Sequence, residues 1–237
     1  MWVSSSHARK STLIVRGGWD GHQPVEATEM FMPFLAENGF SIRVEESPAV
    51  YMEKDFMDSV DLIVQSNTMT TIEKEEFLGL RSAIENGAGF AGWHGGIIDS
   101  YRDTSDYLHM MGAQFATHAG IAPELRIGEQ SDNYLPFMVN FLPEAASHVI
   151  TEGICDFEIT TEQYWVLSDP YIDVLATTTQ KVRSWDPWTR ELTFPVIYTR
   201  NWGKGKIFVS TLGHRVEILA HPSVNTMIKR GLLWASR

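Results

Sequence analysis

Residues Gly89–Gly96, GFAGWHGG, are where residue types and spacing most directly suggest chemistry. An apolar run ends in Gly92-Trp93-His94-Gly95-Gly96, and a helix is expected after it, which is the layout of a nucleophile elbow. The flanking glycines suit a tight turn that brings backbones close together. The central side chain is then projected at the carboxyl ends of the strands, where open α/β sheets hold their ligands. That side chain is His94, an imidazole able to give or take a proton near neutral pH. The overlapping run Gly87–Gly92, GAGFAG, matches the dinucleotide fingerprint letter for letter. The fingerprint works only after a strand and before a helix, whose N-terminus holds the pyrophosphate. Here it follows a helix and runs into a strand, so dinucleotide binding is not expected.

His94 is one of eight histidines. His7 and His109 read as solvated, and His148 and His221 as local caps or turn residues. His22, His118 and His214 fall, like His94, in loops after strands or at motif junctions. All four are expected to line one pocket at the carboxyl edge of the sheet. No compact ligand spacing such as H-E-x-x-H is present. Scattered ligands can still converge, so the sequence requires no cofactor but leaves a divalent metal such as zinc open.

The elements that must position these residues follow from apolar periodicity. Ser11–Arg16 is a buried strand closed by Gly17-Gly18. Pro24 suits the first position of a helix, and Val25, Thr28, Met32 and Leu35 repeat at helical spacing. Pro33 is expected to kink or break its last turn. Phe40–Glu45 and Val60–Gln65 are strands. Thr70 stands at capping-box spacing before Glu73, Phe77, Leu80 and Ile84 give a helix face, and Gly87 suits its end. Ala88–Trp93 is the next strand. This alternation predicts a three-layer, doubly wound, mostly parallel α/β sheet. Beyond it, Asp106–Met111 reads as a short helix. Pro123–Gly128, Tyr134–Phe141, Asp156–Thr160, Tyr164–Leu167 and Val174–Thr178 read as short strands or loop excursions. Phe194–Asn201 and Lys206–Ser210 form a hairpin across Gly203-Lys204-Gly205, and a final helix starts near Pro222. No linker divides the chain, so residues 1–237 are read as one domain with residues 1–10 as a loose arm.

Composition narrows the function classes. The net charge is −11 and no basic cluster occurs, which disfavours nucleic acid and anionic membrane surfaces as partners. Cys155 is the only cysteine, so an intrachain disulfide cannot form. No stretch approaches the roughly 18 apolar residues of a membrane span. The cytoplasm is the default location. A neutral sugar fits this charge without being implied by it.

Several segments, in order, resemble the ThuA-like (trehalose-utilisation) family of the class I glutamine-amidotransferase-like superfamily. They are His94 with its glycines, Met111–His118 (MGAQFATH), Ser147–Thr160 followed by Thr161-Glu162-Gln163-Tyr164, Pro195–Lys206, Thr211-Leu212-Gly213-His214 and Trp234-Ala235. The likeness runs from Thr12 to Ala235. Two departures are that Val149 stands where proline usually follows the histidine, and Thr161 replaces an acidic residue before Glu162. The resemblance implies a flavodoxin-like, amidotransferase-like domain. In amidotransferases of this architecture the elbow residue is cysteine. Histidine cannot form their thioester, so glutaminase activity is not expected, and Cys155 lies in a different segment.

The resemblance also implies a role in using trehalose-type disaccharides or their 3-keto derivatives. Glu162, in the family's acidic-x-Tyr block, is the candidate carboxylate, and an aromatic-lined cleft is expected to raise its pKa. The catalytic candidates are His94, His214, Glu162 and His118, working by acid–base chemistry. His22, Trp19, Asp20, Trp93, Tyr164 and Trp165 are candidates for holding the sugar, and Arg16, Arg200 and Arg215 are further polar contacts. His22, His94, His118, His214 and Glu162 are the candidate metal ligands. The alternatives are a non-catalytic sugar- or partner-binding module and a hydrolase using another nucleophile, with Ser100 and Ser105 beyond the elbow. A homo-oligomer is compatible with the sequence.

Overall fold

The computed structural model describes residues 9–118, 124 and 133–237. The arm before residue 9, His7 and nearly all of the strand expected at 123–128 lie outside the described residues. The first half alternates as the apolar periodicity requires. In order come β1 (Lys10–Gly18), α1 (Pro24–Glu37), β2 (Phe40–Glu45), α2 (Lys54–Ser59), β3 (Leu62–Thr68), α3 (Lys74–Glu85) and β4 (Gly89–Trp93). Two short helices follow, α4 (Gly95–Ile98) and α5 (Ser105–Met111). The second half is strand-rich: β5 (Ala113–His118), β6 (Tyr134–Phe141), β7 (Phe157–Glu162), β8 (Tyr164–Ser168), β9 (Asp173–Gln180), β10 (Leu192–Trp202) and β11 (Gly205–Ser210). The chain closes with α6 (Val216–Leu219) and α7 (Pro222–Ala235).

Among the described residues, nine strands form one sheet in the order β2-β1-β3-β4-β11-β10-β9-β6-β7. From β2 to β11 the neighbours are parallel; from β11 to β7 they are antiparallel. β5 and β8 pair separately as an antiparallel ribbon. Alternate residues of the apolar strands feed two cores. Leu13, Val15, Phe90 and Val209 face Phe77, Leu80 and Ile84 of α3. Ile14, Val64, Ala91 and Phe208 face Phe31 and Leu35 of α1 and Met227, Ile228 and Leu232 of α7. Coverage on both faces explains why these strands read as continuous apolar runs.

Three local expectations are corrected. α1 runs past Pro33 to Glu37. Pro33 lies on the exposed side of the helix, where water can satisfy the carbonyl its ring leaves unbonded. The cap of α3 is Glu73 rather than Thr70: Glu73 and Glu76 cap each other's backbone N–H groups reciprocally. Lys10, placed in the loose arm by sequence, already belongs to β1.

Candidate functional site

The parallel half brings its carboxyl ends to one edge, and the histidines gather there. His22 follows β1, His94 follows β4 and His214 follows β11. The backbone N–H of His94 donates to Ser210 O at 2.6 Å, tying the elbow to β11. His94 itself has φ 51° and ψ −145°, a conformation that costs a non-glycine residue of order 1–3 kcal/mol and persists only where its surroundings impose it. The glycine after it is required by close approach. A Cβ at Gly95 would lie 2.5 Å from His22 Cε1. The helix following the elbow is a single turn, α4.

Two further elements complete the cluster. β7 ends in Glu162, paired across from Tyr134. The β5–β8 ribbon sets His118 opposite Tyr164. Glu162 Oε2 lies 3.1 Å from His94 Nε2, 3.0 Å from His118 Nε2 and 2.9 Å from His214 Nδ1. His214 Nδ1 is also 3.3 Å from His94 Nε2. His22 Nδ1 hydrogen-bonds Thr68 Oγ1 at 2.8 Å, and its ring meets those of His94 and His214 edge-on. Tyr164 stacks on His94 with ring centroids 4.1 Å apart.

The hydrogen bonds assign protons. Thr211 O can only accept, so His94 Nδ1–H donates to it, at 2.7 Å. Burial lowers the His94 pKa to about 4 against the pull of Glu162, so near neutral pH its Nε2 presents a lone pair. Asn133 Nδ2 donates to His118 Nδ1 at 3.3 Å, which leaves the His118 Nε2–H to donate to Glu162. His22 is lowered to about 2, first by burial and then by its histidine neighbours. The expected rise of the Glu162 pKa is reversed. Burial does push it up, but the hydrogen bonds from His118 and His214 outweigh burial and hold the carboxyl far below its usual range. A lone pair and an ionised carboxylate oxygen therefore face one another, with only the His214 N–H between them.

The donor set suits a divalent cation. The ligand atoms of His22, His94, Glu162 and His214 all lie within 4.8 Å of one another, and all four residues are buried. Metal–ligand lengths of ~2.1 Å put tetrahedral donors ~3.4 Å apart, close to the spacings observed here. His118 contacts the same carboxylate from the rim.

A pocket of about 140 Å³ opens onto the cluster, lined by Trp19, Met69, Arg102, Phe115, His118 and Tyr164 among others. Trp19 is partly exposed and meets His22 edge-on at 4.8 Å; Asp20 is exposed on the same turn. Other candidates lie elsewhere. Trp93 is buried against Phe31, because a strand alternates its faces and Trp93 immediately precedes His94. For the same reason Trp165 turns from Tyr164's side and packs on Trp188 and Phe194. Arg16 is drawn onto α1 by Thr28 and Glu29, and buried Arg200 pairs with Asp169. Arg215 heads α6 beside His214. Ser100 donates to Gly96 O, so its hydroxyl is a structural tie, and exposed Ser105 begins α5. His148 accepts from Ile150 N in its own turn, whereas His221 stacks on Phe157 without capping α7 by its side chain.

Sequence reasoning missed Asp99 and Arg102, which form a bidentate pair at the pocket wall (2.5 and 2.6 Å). Their i,i+3 spacing after the elbow was the available signal. It also missed Asn133 and Thr68, which orient His118 and His22.

Comparison with known proteins agrees with this architecture. A family model described as trehalose utilisation, ThuA, matches residues 11–235. A ThuA-like protein from Bacteroides uniformis superposes with TM-score 0.72 at 16% identity, covering 99% of this chain and 94% of the other. One from Parabacteroides merdae gives 0.70 at 14%, covering 96% and 90%. A cytoplasmic protein from Salmonella typhimurium gives 0.64 at 12%, covering 96% and 100%. No curated protein matches the chain. Among the described residues no helix is long and apolar enough to cross a membrane.

Proposed function

The chain belongs to the trehalose-utilisation (ThuA) family, and we propose that it is an enzyme of carbohydrate catabolism acting on a trehalose-type disaccharide or its 3-keto derivative at the His94–Glu162 cluster. The observation that carries this reading is the Thr211 contact, which pins the proton on Nδ1 and leaves Nε2 of His94 as a base. Beside a keto group, Nε2 takes the proton from the neighbouring carbon while the C–H electron pair moves toward the keto oxygen. His118, at the pocket rim, would meet that oxygen's charge by turning its Nε2–H from Glu162 toward it. Isomerisation or elimination follows from the resulting enol. The pocket is smaller than the ~300–1,000 Å³ typical of ligand sites, so it suits the reacting ring rather than a whole disaccharide.

Of the four clustered residues, His22, His214 and Glu162 would hold a divalent ion such as zinc while Nε2 of His94 stays free as the base, with His118 at its side. Such an ion supplies Lewis acidity toward a carbonyl oxygen. A cytoplasmic setting fits a chain with one free thiol, Cys155.

Calorimetry with a 3-keto disaccharide beside a turnover assay, on protein whose metal content has been measured, tests the proposal. Turnover that depends on Glu162 is the expected result. Saturable binding without turnover, with and without added zinc, would replace it by a sugar-binding module.

A further inference from the structure

The antiparallel half of the sheet does not close completely. β6 and β9 are joined only at Asn140↔Thr177 and Phe141↔Ala176, although β6 begins at Tyr134 and β9 runs on to Gln180. Continued in the same register, the ladder would set Phe137 opposite Gln180. Instead the strands part. A cavity of about 340 Å³ lies between residues 135–138 on one side and 179–181 on the other. That volume falls within the ~300–1,000 Å³ of small-molecule sites.

The chemistry of its wall is specific. Gln180 lines the cavity and is 2% exposed, yet neither its Oε1 nor its Nε2 has a hydrogen-bond partner among the described residues. Buried polar groups are nearly always partnered, so a doubly orphaned carboxamide marks a place where a partner belongs. Gln163, also in the lining and 2% exposed, donates from Nε2 to Thr178 Oγ1 at 2.8 Å. Leu135, Pro136 and Phe137 supply an apolar surface.

We propose that this slot is a second binding site, separate from the histidine cluster, for a small neutral polyol: the vicinal diol of a single sugar ring or of a linear polyol. A carboxamide sets an acceptor beside two donors. Adjacent hydroxyls each donate and accept, so one diol satisfies both atoms of Gln180 while its C–H face packs on Phe137 and Pro136. A fully ionised anion could satisfy Nε2 only, leaving Oε1 orphaned. The charges agree. In the lining Glu158 offsets Lys181, and the Arg183 guanidinium is already held by Asp186 at 2.8 and 2.9 Å, so no net positive charge is left to favour an anion.

The site would also reach the catalytic edge. β6 carries β7, with Tyr134 paired to Glu162, and Gln163 follows Glu162 directly. An occupant bridging β6 and β9 therefore braces the strand that presents Glu162. The proposal does not depend on the sugar chemistry assigned to the cluster.

Calorimetric titration of the full chain with D-glucose, glycerol and inorganic phosphate tests it, using a His94→Ala background to reduce binding at the cluster. Saturable binding of glucose or glycerol is expected, and whichever binds identifies a ring or a linear polyol as the source. Gln180→Leu should weaken that binding by about tenfold or more. Should that variant fail to fold, Gln180→Asn, which keeps the amide but withdraws it by one methylene, should weaken it in the same direction. Wild-type NMR should show the Gln180 side-chain amide shifting on titration. No saturable binding of either polyol, binding indifferent to Gln180, or Gln180-dependent binding of phosphate alone would each overturn the proposal.

Discussion

Two buried polar clusters flank the short helix α4, and they are built on opposite principles. Behind it, Gln65 Oε1 accepts from Tyr51 at 2.8 Å, while Nε2 donates to Tyr107 at 2.8 Å and Ser100 at 3.0 Å. Ser100 and Tyr107 pass their own protons to Gly96 O and Ile97 O. Burial pushes the pKa values of Tyr51 and Tyr107 well up, so every member stays neutral. In front, the histidines and Glu162 gather an ionised carboxylate and an unprotonated imidazole nitrogen around one point, open to a pocket. A network that satisfies itself holds a fold together. One whose lone pairs point at each other is incomplete without a proton, a metal or a substrate.

That contrast can be broken most sharply by Glu162→Gln. Removing the charge should cut turnover of a 3-keto disaccharide by about 10²–10⁴-fold, the usual worth of acid–base participation. Thermal melting should show the variant still folded. Stripping divalent ions with a chelator should produce a comparable loss in the wild type, restored by zinc. The Gln65 cluster, which offers no metal ligand, should leave metal affinity unchanged when altered. Gln65→Leu should do the converse. It leaves several buried hydroxyls short of a partner, at about 1–3 kcal/mol per unmet group, so melting should fall while turnover per folded molecule stays near wild type.

A smaller effect concerns pH. His22 and His94 have folded pKa values of about 2 and 4, below the ordinary 6.5. The unfolded chain then binds more protons, so their contribution is present above pH 6.5 and is lost as pH falls toward the folded values. Each histidine contributes a slope of at most ~1.4 kcal/mol per pH unit. Stability measured by urea denaturation from pH 7 down to 5 should therefore decline, and less steeply in His22→Gln. Equal slopes would place no charge burden on His22.

Much of this contrast was legible in the sequence. Strand-then-loop placement found His22, His94 and His214 because the carboxyl ends of parallel strands share one edge, whereas His118 reaches them from the end of β5 in the separate antiparallel ribbon. What the sequence obscured has physical causes. The parity of Trp93 and Trp165 was readable from the period of two, but the pull of aromatic types toward a sugar-site reading hid it. The direction of the Glu162 pKa depends on how many N–H donors reach it, and only the fold brings together β4, β5, β7 and the loop after β11. The antiparallel order of β10, β9, β6 and β7 depends on pairings that short apolar runs do not encode. The Gln65 cluster escaped notice because a glutamine and tyrosines in apolar runs look like core.

The central claim is that His94 is the base and not a prop, and His94→Ala tests it most directly. Turnover on a 3-keto disaccharide and melting temperature should be measured on the same preparation. A rate constant lowered by about 10²–10⁴-fold is expected, with melting changed by only a few degrees, because the ring is buried beside the pocket among Glu162 and the other histidines rather than packed in the apolar core. A variant with unchanged turnover, or one that melts far below wild type, would contradict it.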